Sequence, residues 1–381
     1  PVVSMYFENR ETMIYQIQEM ALTENIVKDD LHKEITAYNP LVPDGKELIA
    51  TMMIEIDDSN LTRRLIEVLE EEEITRLHGI AAKALGEIGD TIAVKPLCDF
   101  IGHNIDLWSD RGWAWPGYGS GIHVLGLAIR ALGEIGDESS IDILVESLWW
   151  VEDQPFSLDY YMPTAGDSVF ALASIGTGRA IDELIRFLND SQPIQNDHCS
   201  SNIHNLIRFI IVEKLEEMDV DRSIDVLIGR LDDTDIKVRA AAASALGHFR
   251  AEGADEPLTK LLNRGPLNET ELSSDDSKYV NVKIDETTWT KKIVEDDRIQ
   301  SAIALGKIAN RDSSEDLIKA LNDEYHLMRV GAAQGLTYFV DNCSGYPSGL
   351  TKPLSLAFHQ DDCEDVRKYS RIAIAKIIAK T

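Results

Sequence analysis

The phrase Ala-Leu-Gly-Glu-Ile-Gly-Asp occurs twice in the chain, at 84–90 and again at 131–137. Internal repetition of this kind narrows the possible folds more than any other feature of a sequence. Weaker copies follow at Ala171–Gly176, Ala245–Phe249 and Ala304–Ile308, and more distantly at Gly335–Phe339 and Ile374–Ile377. Each copy closes an Ala-rich, helix-favouring segment. A short polar turn then leads into a second segment with apolar residues at helical spacing, such as Ile141–Val145 or Ile224–Ile228. The repeating unit is therefore a helical hairpin. Its ruler is strict: Leu85 to Leu97, Leu132 to Leu144, Leu172 to Leu184, Leu215 to Leu227, Leu246 to Leu258 and Leu305 to Leu317 are each 12 residues apart.

The return half of the cycle varies. It takes 19 residues from Leu227 to Leu246 and from Leu317 to Leu336, but 35 from Leu97 to Leu132, 28 from Leu144 to Leu172, 31 from Leu184 to Leu215 and 47 from Leu258 to Leu305. Against the bare value of 19, inserts of 16, 9, 12 and 28 residues have entered the same turn of successive repeats. The expected architecture is an all-α α-solenoid, a superhelix of about eight HEAT-like hairpins, with loop insertions along one edge near 102–121, 150–165, 190–202 and 265–296. Residues 1–60 are less regular, with apolar stretches from Met13 to Ile17 and Leu48 to Ile56, and are expected to form a helical N-terminal cap; 61–381 form the solenoid and Val366–Ile378 its last helix. Ala and Gly at Ala81, Ala84, Gly86, Ala128, Ala131 and Gly133 let neighbouring helices approach, and Asp90 and Asp137 after Gly are expected to cap the next helix.

Composition excludes several functions. With 66 Asp plus Glu against 37 Lys plus Arg the formal charge is −29, which repels a phosphate backbone and argues against nucleic acid. No run of 18 apolar residues and no basic region followed by an apolar core is present, so neither a membrane span nor a signal peptide is expected. Four scattered cysteines (Cys98, Cys199, Cys343, Cys363) suit a reducing compartment, and a cytoplasmic location is the expectation. No phosphate-cradling glycine motif, G-x-S-x-G elbow or His-Glu-x-x-His zinc helix occurs. None of the nine His is followed by Glu, unlike the repeats of the di-iron deoxyhypusine hydroxylases. No metal site and no tightly bound cofactor are expected.

The inserts hold the unusual residues. Five of the six Trp (Trp108, Trp113, Trp115, Trp149, Trp150) lie between 108 and 150, accompanied by Tyr118, Tyr160 and Tyr161. An aromatic edge with Asp and Tyr among the rings suits a flat, conjugated ligand or an anchor from a partner protein; the same rings would also cover a subcore built by the inserts. The third insert places His198 beside Cys199, a proton donor next to a thiol nucleophile. The fourth is acidic in its first half, and Tyr279–Ile284 alternates weakly, as a strand or an extended loop would.

The unit Val238–Gly247 followed by Asp255–Leu262 resembles the HEAT-like repeat of the phycobilisome lyase type, over about residues 61 to 381. Asp197-His198-Cys199 is similar to the Asn-His-Cys motif of the lyase-isomerases of that family, with Asp in place of Asn, and Trp149-Trp150 with Tyr160-Tyr161 resemble the paired aromatics of E/F-type phycobilin lyases. The resemblance implies a phycobilin lyase or lyase-isomerase that binds a linear tetrapyrrole as substrate and promotes its thioether attachment to a cysteine of a phycobiliprotein. It further implies that Asp110, Asp159 or Asp167 pairs with the pyrrole nitrogens, that Tyr160, His123 or His198 moves protons, and that Cys199 holds the bilin transiently. Bilin and a phycobiliprotein subunit, or another helical protein, are then the partners. The alternative expectation is a non-enzymatic solenoid scaffold whose Trp-rich edge is a hot spot for a protein partner.

Overall fold

The computed structural model describes residues 2–7, 50–55, 58–71, 76–111, 118–150, 158–191, 200–264, 296–343, 345 and 349–380. The chain divides into two compact units, Pro1–Leu65 and Ile66–Thr381. In the first, strand β1 (Val2–Phe7) pairs antiparallel with β2 (Ala50–Glu55), in a register that sets Val2 opposite Glu55 and Phe7 opposite Ala50. Helix α1 (Asp58–Leu69) follows. The stretch around Leu48–Ile56, expected to be helical, is thus a strand. Both six-residue runs are too short for an independent helix, and Val2, Val3 and Tyr6 on one and Thr51 and Ile54 on the other favour an extended chain. Met13–Ile17 lies outside the described residues.

The second unit is the all-α solenoid that the ruler requires. Among the described residues eight even-numbered helices form one row: α2 (Arg76–Ile88), α4 (Tyr118–Ile135), α6 (Leu158–Ile175), α8 (Ser200–Glu217), α10 (Ile236–His248), α12 (Asp297–Ile308), α14 (His326–Asn342) and α16 (Glu364–Lys380). Seven odd-numbered helices alternate with them in a second row: α3 (Val94–Arg111), α5 (Ile141–Trp149), α7 (Gly178–Asp190), α9 (Ile224–Arg230), α11 (Asp255–Leu262), α13 (Ser313–Ala320) and α15 (Thr351–Gln360). All twelve ruler leucines, from Leu85 and Leu97 to Leu305 and Leu317, are fully buried. The constant interval is a packing constraint: it carries the chain from the core position of one helix, round a capped turn, to the core position of the next.

The turn chemistry explains why the interval is invariant. Gly89 and Gly136 end their helices at φ +72° and +75°, where a side chain would be strained. The next residues, Asp90 and Asp137, accept from the backbone N–H of Ile92 and Ser139 at 3.0 and 2.8 Å, and so fill the capping role read from the sequence.

Even-row helices pack closely on one another, whereas odd-row helices touch sparsely. The glycine after the anchor leucine of α2, α4, α10 and α12 sets this asymmetry. A Cβ on Gly86 would sit 2.8 Å from Ala131 Cα, one on Gly133 2.6 Å from Ala171 Cα, and one on Gly247 2.7 Å from Ala304 Cα. At α8 the pattern breaks, because Leu215 is flanked by Lys214 and Glu216 instead of Ala and Gly. Its junctions with α6 and α10 are correspondingly less extensive than those between the glycine-bearing helices.

A second register runs along the even row. Arg208, Arg239, Arg298, Arg329 and Arg367 each stand seven residues before the anchors Leu215, Leu246, Leu305, Leu336 and Ile374. Their guanidinium groups tie adjoining segments together. Arg208 grips Asp233 through Nε and Nη2 (3.0 and 3.1 Å), Arg239 grips Asp297 (2.5 Å) and the Asp233 carbonyl (2.9 Å), Arg298 grips Asp323 (2.6 Å), and Arg329 grips Asp361 (2.8 Å). Arg367 donates to the Asp361 carbonyl at 2.6 Å.

The first three inserts lengthen helices as well as loops. α4, α6 and α8 have 18 residues each, against 13 in α10 and 12 in α12, and the extra turns lie at their N-terminal ends, where the inserts enter.

Candidate functional site

The arginine register starts at α8 and is missing from the two lengthened helices before it, α4 and α6. The positions seven before Leu132 and Leu172 are Leu125 and Ala165, both buried. A different polar group takes over between α4 and α6. Asp167, 4% exposed, projects from α6, and its Oδ1 accepts from Nε of Arg130 on α4 at 2.6 Å. The other oxygen, Oδ2, is buried and has no hydrogen-bond partner. It fits between the helices because residue 126 of α4 is glycine: a Cβ there would collide with Oδ2.

Burial pushes the Asp167 carboxyl above the ordinary carboxylate range, and this outweighs the opposing pull of Arg130 and of nearby His123. His123 is exposed on α4, and Arg130 keeps 57% of its side chain exposed. The arrangement is a buried carboxylate with an unused acceptor oxygen, a cation that reaches solvent, and an imidazole close by. Chemically it can accept N–H donors, pair with a ligand carboxylate through Arg130, and relay a proton through His123.

Of the residues singled out from sequence, the structure brings Asp167 and His123 together. Trp150 is 7% exposed and belongs to the core, and Trp149 at the end of α5 packs on buried Phe187 with ring centroids 4.5 Å apart. Trp149 therefore helps close the α5–α7 contact and Trp150 is core, a correction to their assignment as ligand-facing residues: an indole gains most by burying its large apolar area. Trp108 and Asp110 fall in the last turns of α3, Tyr118 opens α4, and Asp159, Tyr160 and Tyr161 lie in the first turn of α6. Their backbones are helical, where the sequence predicts loops. Trp113, Trp115, His198, Cys199 and Tyr279–Ile284 lie outside the described residues.

Four residues escape a reading of the sequence. Gly126 and Arg130 act only through a partner about 40 positions away, so no local pattern marks them. His204 and Arg208 on α8 carry a signal, the arginine seven residues before the anchor leucine. Both are buried, and His204 Nδ1 and Arg208 Nη1 have no hydrogen-bond partner. Burial, with Arg208 adding to it, holds the His204 imidazole below its usual range and so favours the neutral ring. Among the described residues no group of three or more His, Cys, Asp or Glu is placed to hold a metal ion, and no helix is long and apolar enough to cross a membrane.

Three family models match parts of the chain. A protein family of unknown function (DUF3501) covers residues 1–97, HEAT repeats cover 204–272, and the PBS lyase HEAT-like repeat covers 124–148 and 166–190. The two hairpins that build the site match the PBS lyase HEAT-like repeat. No curated protein matches the chain. Among solved structures, the complex of CpcE and CpcF of phycocyanin lyase from a Nostoc species is 17% identical, with 88% of this chain and 97% of that chain covered and a TM-score of 0.35. An engineered protein is 18% identical, with 83% and 88% covered and a TM-score of 0.31. Human deoxyhypusine hydroxylase in complex with glycerol is 14% identical, with 86% and 97% covered and a TM-score of 0.27.

Proposed function

We propose that the chain is a bilin lyase, binding a linear tetrapyrrole against the lengthened ends of α4, α6 and α8 and promoting its addition to a cysteine of a phycobiliprotein. The observation that carries this reading is Asp167: a buried carboxylate with an unpartnered oxygen, set in the two hairpins that match the PBS lyase HEAT-like repeat. Burying a carboxylate oxygen without a donor is costly, and pyrrole N–H groups are donors that would remove the cost once α4 and α6 part enough to admit them. Ionised Asp167 favours the cationic, protonated bilin, which draws electrons from the ethylidene side chain. Arg130, largely solvent-facing, meets a bilin propionate.

The step is an addition. The sulfur of the acceptor thiolate forms a C–S bond to the ethylidene carbon, the C=C pair moves to the ring carbon, and that carbon takes a proton, so nothing is oxidised or expelled. His123, or Tyr160 in the first turn of α6, supplies the proton. The lyase reading also gives His198 and Cys199 transient holding of the bilin, and Asp110, Trp108, Trp113, Trp115, Tyr118 and Tyr161 the walls of its site.

The test is a titration of the purified chain with phycocyanobilin, followed by its absorption and induced circular dichroism, and then by transfer to apo-phycocyanin. Wild type is expected to bind at micromolar concentration and to yield thioether-linked product; Asp167→Asn is expected to bind at least tenfold more weakly. Absence of binding at micromolar bilin sinks the lyase reading and leaves a scaffold.

A further inference from the structure

A recess lies away from α4 and α6, between residues 69–71, at the end of α1, and the first four turns of α3. Its volume is about 490 Å³, within the range of small-molecule sites. Leu69, Pro96, Phe100 and Leu107 make an apolar lining, and Glu70, Glu71 and Asp99 stand with Lys95 and His103 among the polar lining groups. Lys95 is already paired with Asp99 at 2.6 Å, so the charge left over is that of Glu70 and Glu71.

Asn104 is the informative residue. It lines the recess yet is 2% exposed. Its Nδ2 donates to the Phe100 carbonyl at 2.7 Å. Because that contact requires the nitrogen, the amide cannot be turned round, and Oδ1 is fixed as the group left without a hydrogen-bond partner. A buried acceptor held in place with nothing donating to it is uncommon, and here it belongs to a residue that lines an apolar recess whose unpaired charge, among the described residues, is negative. Phe100 is held too: its ring stacks on His78, with centroids 5.6 Å apart, and His78 Nε2 donates to the Glu71 carbonyl at 3.3 Å.

We propose that this recess binds a small organic amine with an apolar body, its ammonium N–H donating to Asn104 Oδ1, its charge balanced by Glu70 and Glu71, and its hydrocarbon part against Phe100 and Leu107. A carboxylate or phosphate ligand is disfavoured by the same two glutamates. A neutral alcohol satisfies Oδ1 but gains nothing from them. The site is separate from Asp167, and its occupancy does not depend on the lyase reading.

Calorimetric titration of the full chain with phenethylamine, phenethyl alcohol and hydrocinnamate tests this. The amine is expected to bind at one site, at least about tenfold more tightly than the alcohol, which corresponds to about 1.4 kcal/mol; hydrocinnamate is expected not to bind. Asn104→Leu, which keeps the volume and removes the acceptor, is expected to weaken the amine at least tenfold. Because that change also removes the bond to the Phe100 carbonyl, the exposed pair Glu70→Gln and Glu71→Gln provides a second reading that leaves the core untouched, with the amine again weakened and its salt dependence lost. Equal binding of amine and alcohol, wild-type affinity in the glutamine pair, or no binding by any of the three probes overturns the proposal.

Discussion

Gly126 on α4 and Asp167 on α6 occupy each other's space: the carboxylate oxygen lies where a Cβ at residue 126 would have to be. The colliding atom is the far end of the Asp167 side chain, so Gly126→Ala turns the carboxylate out of its place beside Arg130. Overpacking of this kind costs about 1–3 kcal/mol, more than the roughly 1 kcal/mol that Ala gains over Gly inside a helix. The variant is expected to unfold at lower urea and to bind phycocyanobilin at least tenfold more weakly. Wild-type behaviour in both measurements would show that the carboxylate is not held there.

The same reasoning separates two other glycines by sign. A Cβ on Gly306 would collide with the carbonyl of Gly335 and lie 2.6 Å from its Cα, and neither backbone can retreat while α12 packs on α14. A Cβ on Gly229 in α9 would meet open space, with no atom within 4 Å. Gly306→Ala is therefore expected to destabilise by about 2–3 kcal/mol, and Gly229→Ala to stabilise by about 0.5–1 kcal/mol. Denaturant midpoints moving in the same direction for both would contradict the close-packed even row.

The interval between leucines is legible because it is local: twelve residues bring the chain from one core position to the next whatever lies outside. The arginine register is equally periodic, at seven residues before the anchor from Arg208 to Arg367, and the same ruler can find it. Asp167 stands out in the sequence only as an acidic residue, because its setting depends on Gly126 and Arg130, which stacking alone brings near. Paired tryptophans look like a ligand wall because composition does not say which way a helix end faces; Trp150 faces inward. The strand at Ala50–Glu55 is hidden because a short apolar run reads equally as helix or strand until its partner, 43 or more residues away at Val2–Phe7, is known.

Arg239 and Asp297 form a pair with side chains 3% and 0% exposed, and Arg239 also holds the carbonyls of Asp233 and Thr234. Removing one partner leaves a buried charge unpaired. Arg239→Leu is expected to cost about 3–5 kcal/mol, and the double change with Asp297→Leu to recover a large part of it. A double variant no more stable than the single would assign the loss to the two carbonyls instead.

The Cys98 thiol is pushed up to about 11 by burial first and then by Asp99 and Asp137. At pH 8 its thiolate fraction is roughly two orders of magnitude below that of an ordinary cysteine. Iodoacetamide at pH 8 is expected to leave Cys98 almost unmodified in the folded chain, with labelling accelerating towards pH 11. Peptide mass mapping that finds Cys98 alkylated at the rate of a free thiol would show that the α3 turn opens.

Asp167 makes the pH dependence of the site calculable in sign. Its carboxyl is raised in the folded chain by burial, against Arg130 and His123, while in the unfolded chain it titrates near the usual value of about 3.9. The raised group contributes stability that is complete below that value and is lost as pH rises through the folded value. Asp167→Asn has no such ionisation, so its stability relative to wild type is expected to improve as pH rises across that window. Bilin binding runs the other way, since only the ionised carboxylate pairs with a protonated tetrapyrrole. Wild-type affinity is expected to rise over the pH range in which the Asp167 contribution to stability falls, and the Asn variant to lose both contributions, with Glu213 and Asp296, also raised by burial, acting alike in the two proteins. Urea unfolding and phycocyanobilin titration at matched pH values check both. A wild-type-minus-variant stability difference that falls with pH while the binding slope disappears in the variant ties the cost of burying Asp167 to its use; a binding slope that persists in Asp167→Asn moves the titrating group elsewhere.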